Sequence, residues 1–384
     1  MKSLNNNQQA FFELLRAGLW NKEARLSKFG AINLKEICRI AEEQSVVGLV
    51  AAGLEHVTDV KLPKEEVLIV VGQTLQLEQR NKAMNAFVAE LIGRLKDAGI
   101  NALLVKGQGI AQCYEKPLWR ACGDVDLLLN ADDYEKAKKL LMPLATEVET
   151  EYTHFKHVGM TIPDGFGTSD KGRASGWVVE LHGTLHSRLS KRVDRQIDAV
   201  QEDTFNHGNV RSWGNGGETV FLPAVDNDVI FVFTHILHHF FFEGTGLRQI
   251  CDWCRLLWTY RDVIDVAGLE FRLDTMGIMS EWKSFAAYAV EYLGMPAEAM
   301  PLLGEEAKWS RKAVRINAFV LEVGNFGHKQ RRDYGGMSYL KRKFVSFWGR
   351  LSDMLRHFRI FPLDSIRFFG GVLRSGLHAA VRGE

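Results

Sequence analysis

"VKGQGIAQCYEKPLWRACGDVDLLL", residues 105–129, sets two aspartates in a run that otherwise reads as core. "DVDLLLN" (124–130) is short and apolar apart from those acids, so it reads as a buried strand, and "INALLV" (100–105) as another. Strand side chains alternate between faces, so Asp124 and Asp126 project from one side with Val125 buried on the other. Carboxylates held that close raise one another's pKa and destabilise the fold unless a cation lies between them. Hard Mg²⁺ (or Mn²⁺) accepts carboxylate oxygens together with substrate phosphates, and one aspartate can bridge two ions ~3.5–4 Å apart.

Two further features extend this pattern. Glu180, in the strand-like "WVVELHGTL" (177–185), is an acid among strand-forming residues, and His182 two positions on shares its face. Glu180 is therefore the expected third carboxylate. Upstream, Lys106 stands between a strand and a short helix, "GQGIAQCYEK", whose first N–H groups attract anions. Gly107 and Gly109 permit close backbone approach, and Arg120 offers a fork for phosphate.

Around this stretch, residues 8–58 place apolar side chains at i, i+3, i+4 and i+7, the signature of amphipathic helices. A longer helix begins near Pro63, Glu65 and Glu66 and stops at Gly99. Beyond the strand at 124–130, "ADDYEKAKKLLMPL" reads as a helix with an acidic first turn. "THFKHVGMTI" reads as a strand on which either Lys156 or His157 faces the cleft. From about residue 224 the pattern is helical again. The expected fold class is α+β with an α/β core: a helical segment at 1–99, the core at 100–223, a second helical segment at 224–339 and a basic tail at 340–384.

Composition narrows the function classes. The 384 residues are 46% hydrophobic and 25% charged with a net charge of +1, which fits a globular protein and argues against a large RNA acceptor. The N-terminus has no signal-peptide pattern, and no apolar run approaches the ~20 residues of a membrane span. Five scattered cysteines fit a reducing cytoplasm better than a disulfide framework. Cys251 and Cys254 read as small core residues of a helix, because no second Cys/His pair lies at zinc-ligand spacing. His235 and His239 are four apart on an apolar helix and read as core or cleft-wall histidines. Arg248 and Asp252 read as an i, i+4 pair.

Residues 340–384 hold nine Lys+Arg against three acids, with Phe344, Phe347, Trp348, Leu351 and Leu355 at helical spacing. Such a tail suits a helix docked on its own domain, an anionic membrane surface, or nucleic acid.

The run 103–129 resembles the DNA polymerase β-type nucleotidyltransferase superfamily, whose core has a glycine motif, a helix, then two acids alternating with apolar residues. More narrowly it resembles a bacterial branch of uncharacterised nucleotidyltransferases that reads LKG, a helix, then R-x-x-G-D-x-D-L-L-V. Lys106, Gly107, Arg120, Gly123, Asp124 and Asp126 match position by position. "VELHGTL" resembles a later (V/I)-(E/D)-L-H segment, and "THILHHFFFEGTGLRQICDWCRLL" a further one with His and L-R-x-x-x-D; the similarity spans about residues 35–260. One departure is Lys106-Gly107-Gln108-Gly109, where the superfamily commonly has Gly-Gly or Gly-Ser.

The resemblance implies a mixed sheet with flanking helices and transfer of NMP from an NTP to an acceptor with loss of pyrophosphate. Asp124, Asp126 and Glu180 would be metal ligands and catalytic residues. Lys106, Gly107, Gln108, Arg120, Gly123, His182 and Arg248 would meet the nucleotide. It names no acceptor. Two other readings are a non-catalytic nucleotide-binding or membrane-surface module and a toxin-like enzyme modifying tRNA. The expected location is cytoplasmic, with peripheral contact at the inner membrane face through the tail.

Overall fold

The structure is a computed structural model that describes residues 4–149, 156–166, 176–242, 244–325 and 355–367. Seven strands form one mixed sheet: β1 (Ala102–Val105), β2 (Asp124–Leu129), β3 (Glu147–Val148), β4 (His157–Pro163), β5 (Gly176–His182), β6 (Val210–Asn215) and β7 (Glu218–Pro223). Their spatial order is β3-β4-β5-β2-β1-β7-β6. β2 runs antiparallel to β1, with Val105 opposite Asp126. It runs parallel to β5, with Asp126 opposite Glu180. This is the α+β architecture expected, with helices on both faces.

Alternation along the central strands explains the layering. Leu104, Val125, Leu127, Leu129, Val179 and Leu181 point to one side, where they pack against Met84, Phe87, Val88 and Leu91. Those four belong to α4 (Lys64–Asp97), whose first turn holds Glu65 and Glu66 and whose last turn holds Arg94 and Lys96, each complementing the helix dipole. Every such buried Leu or Val contributes about 1.5–3 kcal/mol, so the apolar face fixes the register. α6 (Ala131–Leu141) closes the same side with Tyr134, Ala137 and Leu141.

On the other face, Leu103, Val105 and Leu128 join a larger helical core. It is built from α1 (Asn6–Trp20), α2 (Leu34–Glu43), α3 (Val47–Leu54), α8 (Val225–Phe242), α9 (Leu247–Thr259), α11 (Met279–Leu293) and α12 (Ala307–Val323). α5 (Gly107–Ala111), α7 (Lys191–Asn206) and α10 (Val266–Met276) complete the set. Asp124, Asp126, Glu180 and His182 stand on this second face, where α8 crosses above them. Cys251 and Cys254 are buried and free within α9, as core residues.

The β6–β7 hairpin, absent from the sequence reading, turns through Asn215-Gly216-Gly217 with both glycines at positive φ. Part of the basic tail is described. His357, Ile360 and Phe361 are buried, with His357 and Phe361 against Phe240 and Phe241 of α8, and Lys312 lies 4.6 Å over the Phe361 ring. Residues 355–367 therefore dock on the chain's own helices. Phe344, Phe347, Trp348 and Leu351 lie outside the described residues, as does most of the glycine-rich loop between β4 and β5. Among the described residues no helix is long and apolar enough to cross a membrane.

Candidate active site

A cavity of about 410 Å³ opens between the sheet and α8. Its floor is the second face of β2 and β5, which brings Asp124, Asp126, Glu180 and His182 to one wall. Lys106 and Gly107 join them from the end of β1, and His157 from the start of β4. The opposite wall is His235, His238 and His239 of α8, with Arg248 and Asp252 of α9 behind.

Lys106 Nζ donates to Asp126 Oδ1 at 3.0 Å, and His182 Nε2 meets the same oxygen at 2.8 Å. Glu180 Oε2 receives His157 Nε2 at 3.2 Å and lies 3.4 Å from His182 Nε2. Among the described residues Asp124 has no comparable hydrogen-bond partner, and the electrostatics follow. Burial, then Asp126 and Glu180, push the Asp124 carboxyl up to about 6. Burial also opposes the charge on Asp126, but Lys106 and His182 outweigh it and hold that carboxyl below its ordinary range. Glu180 is likewise buried, yet the two imidazoles bring it down, and His182 is raised in turn by Asp126 and Glu180. Lys106 stays a cation because the three carboxylates outweigh its desolvation.

Lys106 reaches Asp126 from a backbone at φ +58°, ψ −143°, a region costly for a residue with a Cβ, followed by Gly107 at φ +35°. Gly109 serves packing: a Cβ there would stand 2.8 Å from Leu222 of β7. The helix these glycines open is five residues long, too short for the anion-attracting N-terminus expected from the sequence. Gln108 is buried against Met84 and the Asp124 carbonyl, and Gly123 is exposed; neither lines the cavity.

Arg120 has a partner that the sequence reading did not give it. Its fork is engaged by Asp252, through Nε at 3.1 Å and through Nη2, with Tyr114 donating to the same carboxylate at 2.7 Å. All three side chains are buried, so Arg120 ties the loop before β2 to α9 while it also borders the cavity with its fork taken up by Asp252. Arg248 donates to the Ala121 carbonyl of that loop at 3.0 Å and reaches the cavity. Of the pair left open on β4, His157 faces the cleft and Lys156 is exposed at φ +43°. The loop Thr184–Arg188 also lines the cavity, its Ser187 carbonyl accepting from His238 Nδ1 at 2.7 Å. Nothing in "GTLHSRLS" distinguished it from an ordinary connection.

The carboxylates fit a divalent cation by donor chemistry: three acids share one buried face, and Lys106 and Arg248 only partly offset the repulsion at Asp124. Among the described residues, however, the trio of potential ligand atoms lying within 4.8 Å of one another is His157, Glu180 and His182.

Comparison with known proteins gives the family. A family model described as uncharacterised nucleotidyltransferase matches residues 30–294, well over half of the chain. The chain belongs to that family. No curated protein matches it. A solved structure, an antigenic nucleotidyltransferase-like protein from Paracoccidioides brasiliensis, aligns over 55% of this chain and 92% of its own at 13% identity. The TM-score of that alignment is 0.33.

Proposed function

We propose that the chain is a metal-dependent nucleotidyltransferase of the polymerase β type. An acceptor nucleophile attacks the α-phosphorus of an NTP, a new bond to phosphorus forms, and the bond to the leaving pyrophosphate breaks. The observation supporting this reading is the convergence of Asp124, Asp126 and Glu180 from adjacent strands on one cavity beside Lys106. Asp124, Asp126 and Glu180 would hold Mg²⁺ or Mn²⁺, which supplies charge stabilisation for the phosphoryl group. Lys106 neutralises a carboxylate in the metal-free state and would neutralise phosphate charge; Arg248, which also lines the cavity, would add positive charge. Incubating the purified chain with Mg²⁺, each labelled NTP in turn and a cell lysate tests the reading. It expects one acceptor to gain label together with stoichiometric pyrophosphate; pyrophosphate release with none of the four would reject it.

A second reading concerns the tail. Leu355, Phe358, Leu363 and Ile366 are exposed on the docked segment beside Arg359 and Arg367, a pattern that suits an anionic bilayer surface. Flotation with phosphatidylserine vesicles should recover the full chain but not a Leu363→Asp/Ile366→Asp variant. Equal recovery in the unbound fraction removes this reading.

A further inference from the structure

Two imidazoles and one carboxylate converge at the β4 side of the cavity in a way the three-carboxylate reading does not require. β4 and β5 are antiparallel with His157 directly opposite His182, and their rings lie 4.8 Å apart. Both present Nε2 to the same oxygen, Glu180 Oε2, at 3.2 and 3.4 Å. Bonds of about 2.0–2.1 Å from a tetrahedral ion to His nitrogen and carboxylate oxygen set ligand–ligand edges of about 3.3–3.4 Å. The two edges to Glu180 Oε2 match those values, and all three ligand atoms lie within 4.8 Å of one another. Asp126 Oδ1, 2.8 Å from His182 Nε2, stands beside the trio as a further oxygen donor.

We propose that His157, Glu180 and His182 form a binding site for a borderline divalent transition ion, of the zinc type. Imidazole nitrogen favours zinc, cobalt and nickel, whereas Mg²⁺ selects oxygen and dehydrates reluctantly. Ion selectivity at this end of the cavity is then that of a nitrogen ligand field, with Glu180 shared between this site and the oxygen-only pair Asp124 and Asp126. The other close histidine pair, His235 and His239 with Nε2 atoms 3.0 Å apart, has no third ligand within reach among the described residues. It forms no comparable site. The inference uses the same cavity as the proposed function but does not depend on NMP transfer.

Co²⁺ titration of the full chain, freed of metal by chelator, tests it. Four-coordinate Co²⁺ absorbs visible light far more strongly than six-coordinate Co²⁺. The expected result is a single strongly absorbing equivalent, displaced stoichiometrically by Zn²⁺ and unmoved by a large excess of Mg²⁺. His157→Gln and His182→Gln should abolish the band, while Asp124→Asn and His239→Gln keep it. Displacement by Mg²⁺, a weak six-coordinate spectrum, or a band that survives His157→Gln would overturn the proposal. The Mg²⁺ competition uses the unmodified chain, so it decides even where a histidine variant fails to fold. A strong band from a chain that transfers no NMP would leave this site standing and reject the transferase reading alone.

Discussion

Asp126 on β2 and Glu180 on β5 are direct partners across a parallel strand pair, and His182 Nε2 lies within 3.4 Å of both carboxylates. Two acids in that register on a buried face exist at neutral pH only because cations and imidazoles surround them. Lys106 and His182 fill that role in the metal-free chain. Asp124, two residues up the same strand, has less compensation, and this imbalance marks where added positive charge would be most favourable.

Lys106 is the group most directly opposed to the carboxylates. Lys106→Met should lower pyrophosphate release about 10²–10³-fold, the usual cost of removing one group that stabilises transferring charge. Steady-state rates at saturating NTP check this; an unchanged rate would assign Lys106 to folding alone.

Arg120 makes a different prediction. Its buried fork on Asp252 is broken in Arg120→Met, leaving an uncompensated carboxylate beside Tyr114. The variant should lose about 3–5 kcal/mol of stability in urea unfolding. A loss within the ordinary range of surface substitutions would mean that Asp252 finds water or another partner.

Stability should also depend on pH through Glu281 of α11. This side chain is fully buried, and burial followed by the nearby Asp364 raises its carboxyl well above the usual range. The folded chain keeps a proton that the unfolded chain releases near the ordinary glutamate pKa. Its contribution is therefore neutral below that pH and increasingly unfavourable above it, with a slope of up to about 1.4 kcal/mol per pH unit. Urea midpoints of Glu281→Gln should fall less than those of the parent as pH rises from 5 to 8. Parallel curves would contradict the assignment.

The acidic face was legible in the sequence because strand parity is unforgiving: a one-residue spacing puts Asp124 and Asp126 on one side whatever surrounds them. Glu180 and His182 followed by the same rule. What parity cannot supply is reach across the chain. Arg120 and Asp252 are 132 positions apart, so nothing local shows that the fork is already engaged. Likewise, choosing His157 over Lys156 needed the β4–β5 register, in which His157 stands opposite His182. The β6–β7 hairpin had a local signal in Asn215-Gly216-Gly217, between two runs of strand-forming residues, and could have been read. The docking of His357 and Phe361 depends on aromatic rings contributed by α8, so composition alone could not choose among the fates of a basic, aromatic tail.

Asp124→Ala is the most direct test of the central claim, because chemistry and stability should move in opposite directions. Removing a carboxylate held up to about 6 by burial and its acidic neighbours relieves repulsion, so the metal-free variant should melt no lower than the parent at pH 7.5. The measurement is Mg²⁺-dependent pyrophosphate release, run beside the melt on the same preparation. The account predicts a folded protein with release at background; parent-level release from that folded variant would contradict it.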